Sequence, residues 1–179
     1  FDMIFPNPYG KIVKLLEAMN ESGVKPELEC FDTGHTAGIA PLLDMGLLRP
    51  PLQFSFIVNV LGGVPGHVES LQLQTKLMPA GSEWEVIGIS HGHWRMLGAA
   101  LVLGGNIRTG LEDHLYLPNG QMASSNGAMV EVEILQSRWN GFLEWNEFSC
   151  GLSCGSLPPP AILDSDRNIK DNKGYGFKL

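Results

Sequence analysis

Positive charge is scarce in this chain: 12 Lys and Arg stand against 19 Asp and Glu in 179 residues, a net charge of -7. A nucleic-acid surface needs clustered cations to neutralise phosphates, so that class of partner is excluded. Cysteine is scarce too. Cys30, Cys150 and Cys154 make an odd number, and the last two have no second Cys or His pair nearby, which argues against a structural zinc site. Cys30 lies in a strand-like stretch and reads as a small hydrophobe. No apolar run reaches the roughly 18 residues of a spanning helix, so no membrane contact is expected. The start, Phe1-Asp2-Met3-Ile4-Phe5, shows no basic segment and no small-residue cleavage site. A secretory signal is therefore not expected, and a cytoplasmic location is the default. The first residue is not Met, which points to an incomplete reading frame.

With 44% hydrophobic residues, 17% charged residues and no long low-complexity run, the chain has the composition of one globular domain. Phe1 to Phe5, closed by Pro6-Asn7-Pro8, resembles the remains of a strand and its turn. Ile12, Leu15, Leu16 and Met19 recur at helical spacing and predict an amphipathic helix over about residues 9 to 22. A strand through Leu28 and Cys30 ends at Asp32-Thr33-Gly34. A helix follows from Ala37 to about Leu48, stopped by Pro50-Pro51. The aromatic and β-branched run Gln53 to Val60 predicts a buried strand ending in Gly62-Gly63-Val64-Pro65-Gly66. A helix over 67 to 78, a strand from Trp84 to Ile89, a helix from about Trp94 to Leu103 and a strand through Ile107 complete the pattern. Strand and helix alternate, which calls for parallel strands joined by helical crossovers, in a doubly wound sheet or a barrel. After Glu131 the pattern fails: 136–179 shows Trp, Gly, Ser and a Pro158-Pro159-Pro160 run without period. It is read as a divergent, poorly ordered tail behind a unit spanning 1–135.

Chemistry concentrates in Asn106-Ile107-Arg108-Thr109-Gly110-Leu111-Glu112-Asp113-His114, where an apolar strand runs into one cation and two adjacent carboxylates. Neighbouring residues at a strand end point in different directions, so Glu112 and Asp113 cannot face one ligand alike. One can bind a metal while the other handles a proton. Arg108 shares a strand face with Glu112 and favours the ionised form of a nearby carboxylate. The plain alternative is two turn caps and a surface ion pair of little energetic weight. Gly62 and Gly63 stand between a strand and a helix, where exposed amides suit a phosphate, or simply form a βα turn. His91-Gly92-His93 offers two imidazoles for a metal, a ligand contact or a helix cap; His35 offers a site contact or a cap.

Four stretches in order resemble the β-keto acid cleavage enzyme family: Lys25-Pro26-Glu27-Leu28-Glu29-Cys30-Phe31-Asp32-Thr33-Gly34-His35, Leu61-Gly62-Gly63-Val64-Pro65, Glu83 to Ile89, and Leu97 to Asp113. The resemblance runs from about Asp2 to about Glu131. It implies a (β/α)8 TIM barrel, of which this chain would hold only about the last four βα units. It also implies a zinc-dependent acyltransfer between a β-keto acid and acetyl-CoA, with Glu112 as a zinc ligand and Asp113 as the general base. Arg108 and a glutamate of the first strand here would set the charge of that base. Glu27 and Glu29 share strand parity, and Glu29 is preferred as nearer the carboxyl end. The zinc-binding histidines of the family come from a strand that is absent here. Gly62 and Gly63 are assigned to the coenzyme, and a homo-oligomer is expected. The alternative is a catalytically inactive half-barrel acting only through association with another chain.

Overall fold

The computed structural model describes residues 7–139, 162–163, 168–170 and 176–178. The chain divides into two compact units, Phe1–Leu143 and Glu144–Leu179. The remnant strand expected at Phe1 to Phe5, and Cys150 and Cys154, lie outside the described residues.

The first unit is built on a four-stranded parallel sheet in the order β1-β2-β3-β4: Glu27–Cys30, Gln53–Val58, Glu83–Gly88 and Asn106–Arg108. Consecutive strands are neighbours, each pair joined by helical crossovers, as the alternation of periods predicts. Helix α1 (Tyr9–Glu21) precedes β1; α2 (Thr33–Ala37) and α3 (Ile39–Asp44) join β1 to β2. Helix α4 (Val68–Leu77) joins β2 to β3, α5 (His93–Val102) joins β3 to β4, and α6 (Asn126–Trp139) follows β4.

Register and alternation give the sheet two different faces. Leu28, Cys30, Phe54, Phe56, Val58, Trp84 and Val86 share one face and pack with Leu16, Leu42, Leu71, Met96, Leu97 and Ala100 from the helices. Burial of these aromatic and aliphatic side chains, each contributing roughly 1.5–3 kcal/mol, holds the unit together. The other face carries Glu27, Glu29, Ser55, Glu85 and Arg108. Helices thus supply the core on one side only, whereas a doubly wound sheet is covered on both.

The single helix expected from Ala37 to Leu48 is two short ones. Asp32 starts α2 early by accepting from the Gly34 amide at 2.8 Å. Pro41, without an amide hydrogen, then cannot continue the ladder of α2 into α3. Strand β2 stops at Val58 rather than Val60, because Asn59 turns to a positive φ of 70°. Between β4 and α6 lies a small hairpin that the periodicity reading passed over, with Leu117 N–H bonded to Gln121 O at 2.8 Å and a Tyr116–Met122 bridge. Its signal was present in Pro118-Asn119-Gly120.

The boundary expected at 135 falls inside α6, which runs on to Trp139. Of the expected tail over 136–179, most lies outside the described residues. Within the second unit, Ile162–Leu163, Asn168–Lys170 and Gly176–Lys178 (β5 to β7) pair as a three-stranded antiparallel sheet. Among the described residues no helix is long and apolar enough to cross a membrane.

Candidate active site

The polar face of the sheet and the loop after β4 bring the acidic candidates together around one guanidinium. Arg108, at the last position of β4, extends Nη1 to within 3.8 Å of Glu29 Oε1 and hydrogen-bonds Glu112 through Nη2. β1 and β4 are the outer strands of the sheet, about 14 Å apart at the usual strand spacing. The Glu29 contact therefore requires both long side chains to lean over β2 and β3. Glu27, the other glutamate of matching parity, instead accepts a hydrogen bond from Ser55 Oγ. That hydroxyl also lies 3.1 Å from Glu85 Oε1, although its single proton serves one carboxylate at a time. Burial raises the Glu85 carboxyl above its usual range, more than the Ser55 hydrogen bond lowers it.

Glu112 and Asp113 diverge as adjacent residues must. The Glu112 side chain is 71% exposed and held by Arg108. Asp113 turns inward, and its Oδ2 is buried without a hydrogen-bond partner. Burial raises the Asp113 carboxyl above 3.8; Arg108 opposes this, while Glu112 and Glu29 reinforce it. Arg108 favours the ionised form, as its charge requires, while desolvation and two like charges together outweigh one cation in the net direction. The result is a carboxylate with a free oxygen and more than ordinary basicity, the state a general base needs.

The loop bearing these groups is tied down at its backbone. Asp113 N–H and His114 N–H reach Gly110 O at 3.0 and 3.1 Å, Leu111 N–H donates to Asn126 Oδ1 at 2.8 Å, and Asp113 O accepts from Ser90 N–H at 3.1 Å. Asn59 and Ser90, with φ of 70° and 56°, turn the chain at the carboxyl ends of β2 and β3. The Asn59 side chain links the two turns, donating to His91 O and accepting from the Gly66 amide.

Gly62 and Gly63 are in the turn after β2 but not at the helix start expected for them, since α4 is capped by His67. The Gly63 amide is already bonded to Val60 O at 3.0 Å. A Cβ on Gly63 would lie 2.6 Å from Phe31 O, so close strand-to-turn approach explains this glycine without a ligand. His35 Nδ1 accepts from the Phe31 amide, which makes it a local cap. His91 and His93 do not converge: His91 is exposed, whereas His93 is fully buried with both ring nitrogens engaged. Among the described residues no group of three or more His, Cys, Asp or Glu could hold a metal. Glu112, alone and ion-paired, does not make a zinc site by itself.

Reading sequence residue by residue passed over Ser55, Glu85, Thr109 and Glu133. The first two were visible as polar residues at alternate positions of otherwise apolar strands.

The sequence profile of the beta-keto acid cleavage enzymes matches residues 1–137. The chain belongs to the β-keto acid cleavage enzyme family. Relatives within it include a 3-keto-5-aminohexanoate cleavage enzyme of Fusobacterium nucleatum subsp. nucleatum, 34% identical over 73% of this chain and 47% of its own length. A 3,5-dioxohexanoate:acetyl-CoA acetone transferase of Paraburkholderia graminis is 29% identical over 72% of this chain and 43% of its own. A 3-dehydrocarnitine:acetyl-CoA trimethylamine transferase of Rhizobium meliloti is 30% identical over 76% and 46%. The chain spans about half the length of the curated relatives it matches. The Glu29, Arg108, Glu112 and Asp113 constellation lies wholly within the part that matches the β-keto acid cleavage enzymes.

Proposed function

We propose that this chain carries the proton-transfer half of a β-keto acid cleavage site, in which a β-keto acid such as 3-keto-5-aminohexanoate and acetyl-CoA become acetoacetate and a new acyl-CoA. The observation that carries the reading is Asp113: a carboxylate of raised basicity with an unpartnered Oδ2, beside Arg108, in a family-matched segment. Asp113 takes the proton from the carbon between the ketone and carboxylate of the keto acid. The resulting carbanion attacks the thioester carbonyl of acetyl-CoA. Coenzyme A then moves to the second acyl group as the carbon–carbon bond breaks, and the proton returns from Asp113. Glu29 and Arg108 set the charge of the base. Glu112 is the one carboxylate this chain lends to a zinc site completed by residues it does not supply; zinc, where bound, acidifies the carbon. The exposed Gly62-Gly63 turn is proposed as a surface against which the coenzyme lies. Helices on one face and polar groups on the other suit a segment of (β/α)8 barrel wall, whose chemistry collects at the carboxyl ends of the strands. We also propose that the working protein is a homo-oligomer in the cytoplasm.

The chain by itself is expected to be inactive, so solvent deuterium exchange at the acidic carbon and acetoacetate formation from acetyl-CoA, measured with zinc on this segment within a protein that supplies the remaining zinc ligands, test this directly. Both should occur and both should be lost in Asp113→Asn. Absence of both would overturn the reading. A second reading, an inactive half-barrel that works by association, is favoured by β1 and β4, each paired on one side only among the described residues. Open edges of that kind recruit further strands. Sedimentation showing a stable complex, with no zinc retained and no exchange, would select it.

A further inference from the structure

Behind the loop of Glu112 and Asp113, on the side away from the polar sheet face, lies a buried polar unit that the proposed chemistry does not use. His93, at the start of α5, is 0% exposed, and Glu133, on α6, is 6% exposed. His93 Nδ1 lies 2.6 Å from Gly88 O, at the end of β3. A carbonyl only accepts, so Nδ1 carries the hydrogen. His93 Nε2 lies 2.9 Å from Thr109 Oγ1, in the residue following Arg108, and 3.8 Å from Glu133 Oε1. The His93 ring stacks on His114, the residue after Asp113, with centroids 4.8 Å apart and planes 19° from parallel. A Cβ on Gly88 would stand 2.8 Å from the His93 Cα, so the helix start has no room to slide along the strand end.

These contacts bracket the catalytic loop. Thr109 is at its entrance and His114 at its exit, and one imidazole touches both while anchored to β3. We propose that His93, Thr109 and Glu133 are positioning residues, with His93 as the neutral Nδ1–H tautomer accepting from the Thr109 hydroxyl, and that they fix the loop so Glu112 and Asp113 keep their separate directions. The direction of the hydrogen bonds follows from proton count. If Nδ1–H is given to Gly88 and the ring is neutral, Nε2 accepts, so the one Thr109 proton goes to it. Glu133 can then bond Thr109 Oγ1 only as a donor, in its protonated form. Burial pushes the Glu133 carboxyl up to about 8 against the lowering effect of the Thr109 hydroxyl, and burial holds His93 below 6.5, both in the direction of that assignment.

The inference rests on the reading of Asp113 as the base for its catalytic consequence, though not for its structural test. In the wild-type chain, long-range 1H–15N spectra of labelled histidine should show His93 as Nδ1–H with an unprotonated Nε2. Hydrogen exchange at the amides of Leu111, Asp113 and His114 should quicken about tenfold or more in Thr109→Val and return in Thr109→Ser. In turnover assays Thr109→Val should lower kcat by about 10- to 100-fold with the KM for acetyl-CoA unchanged, again rescued by Thr109→Ser. A His93 imidazolium or Nε2–H tautomer in the wild type overturns the proposal, as does unchanged loop exchange in a folded Thr109→Val. The tautomer measurement needs no variant, so a variant that does not fold leaves the test intact. The expected tautomer and loosened loop without any turnover would refute the β-keto acid reading and leave the positioning unit standing.

Discussion

At the scale of single residues, the site turns on how two adjacent carboxylates are treated differently. Glu112 lies in solvent with a cation on it, while Asp113 has one oxygen buried and unpaired. Asp113→Asn should cost about 10² to 10⁴ in turnover, since an amide cannot take the proton. Deuterium exchange into the substrate, followed by NMR, separates that loss from weaker binding. Arg108→Gln acts on the same carboxyl from outside. Arg108 is the one neighbour that lowers it against burial, Glu112 and Glu29, so its removal raises the Asp113 pKa further. A base works above its pKa, and the acid limb of the pH–rate profile should move to higher pH. A limb that stays in place would show that the titrating group is not Asp113.

At the scale of elements, the turns after the strands are held by close packing as well as by side-chain hydrogen bonds. Gly63 faces the Phe31 carbonyl with no space for a methyl group. Gly63→Ala should destabilise the unit by about 1–3 kcal/mol through overpacking, read as a lower urea midpoint at constant slope. Thr109→Val should cost a similar amount for a different reason. It leaves the buried His93 Nε2 without its donor, a loss of about 1–3 kcal/mol. The two substitutions lie in separate loops and should add within roughly 0.5 kcal/mol.

For the whole folded unit, buried ionisable groups write its pH dependence. Glu133 has its carboxyl pushed from 4.5 up to about 8, so the folded state binds that proton more tightly than the unfolded chain does. Its contribution is fully present below pH 4.5, is lost progressively as pH rises toward about 8, and is flat above that. His93 acts with the opposite sign: held below 6.5, it costs stability as pH falls through that value. Denaturant midpoints measured across this range should fall on the alkaline side in the wild type, and the part of that fall between about pH 6 and 8 should shrink in Glu133→Gln. A midpoint in Glu133→Gln that declines as steeply as in the wild type would place the responsible proton elsewhere.

Local patterning determined a good deal of this protein. Short apolar and β-branched runs predicted all four strands of the parallel sheet, helical spacing predicted α1, the segments between strands predicted α4 and α5, and the run from Arg108 to Asp113 announced a cation with two divergent carboxylates. These are properties of neighbouring residues, and neighbouring residues carry them. Contacts between strands could not be read that way. Which of Glu27 and Glu29 meets Arg108 depended on side chains crossing two intervening strands, and the pattern held them equal. The state of Asp113 was legible only in part, because a cation four residues behind a carboxylate is a sequence fact whereas desolvation is a property of the packed fold. His93 is the clearest case. In sequence it stood beside His91 as one of two imidazoles open to a metal, a ligand contact or a helix cap, but a turn through Ser90 and Gly92 at positive φ swings it into the core. There Gly88, Thr109, His114 and Glu133, drawn from residues up to 40 positions away, decide its tautomer and its work. Only packing brings such distant groups together, and only burial gives their contacts an energy worth counting.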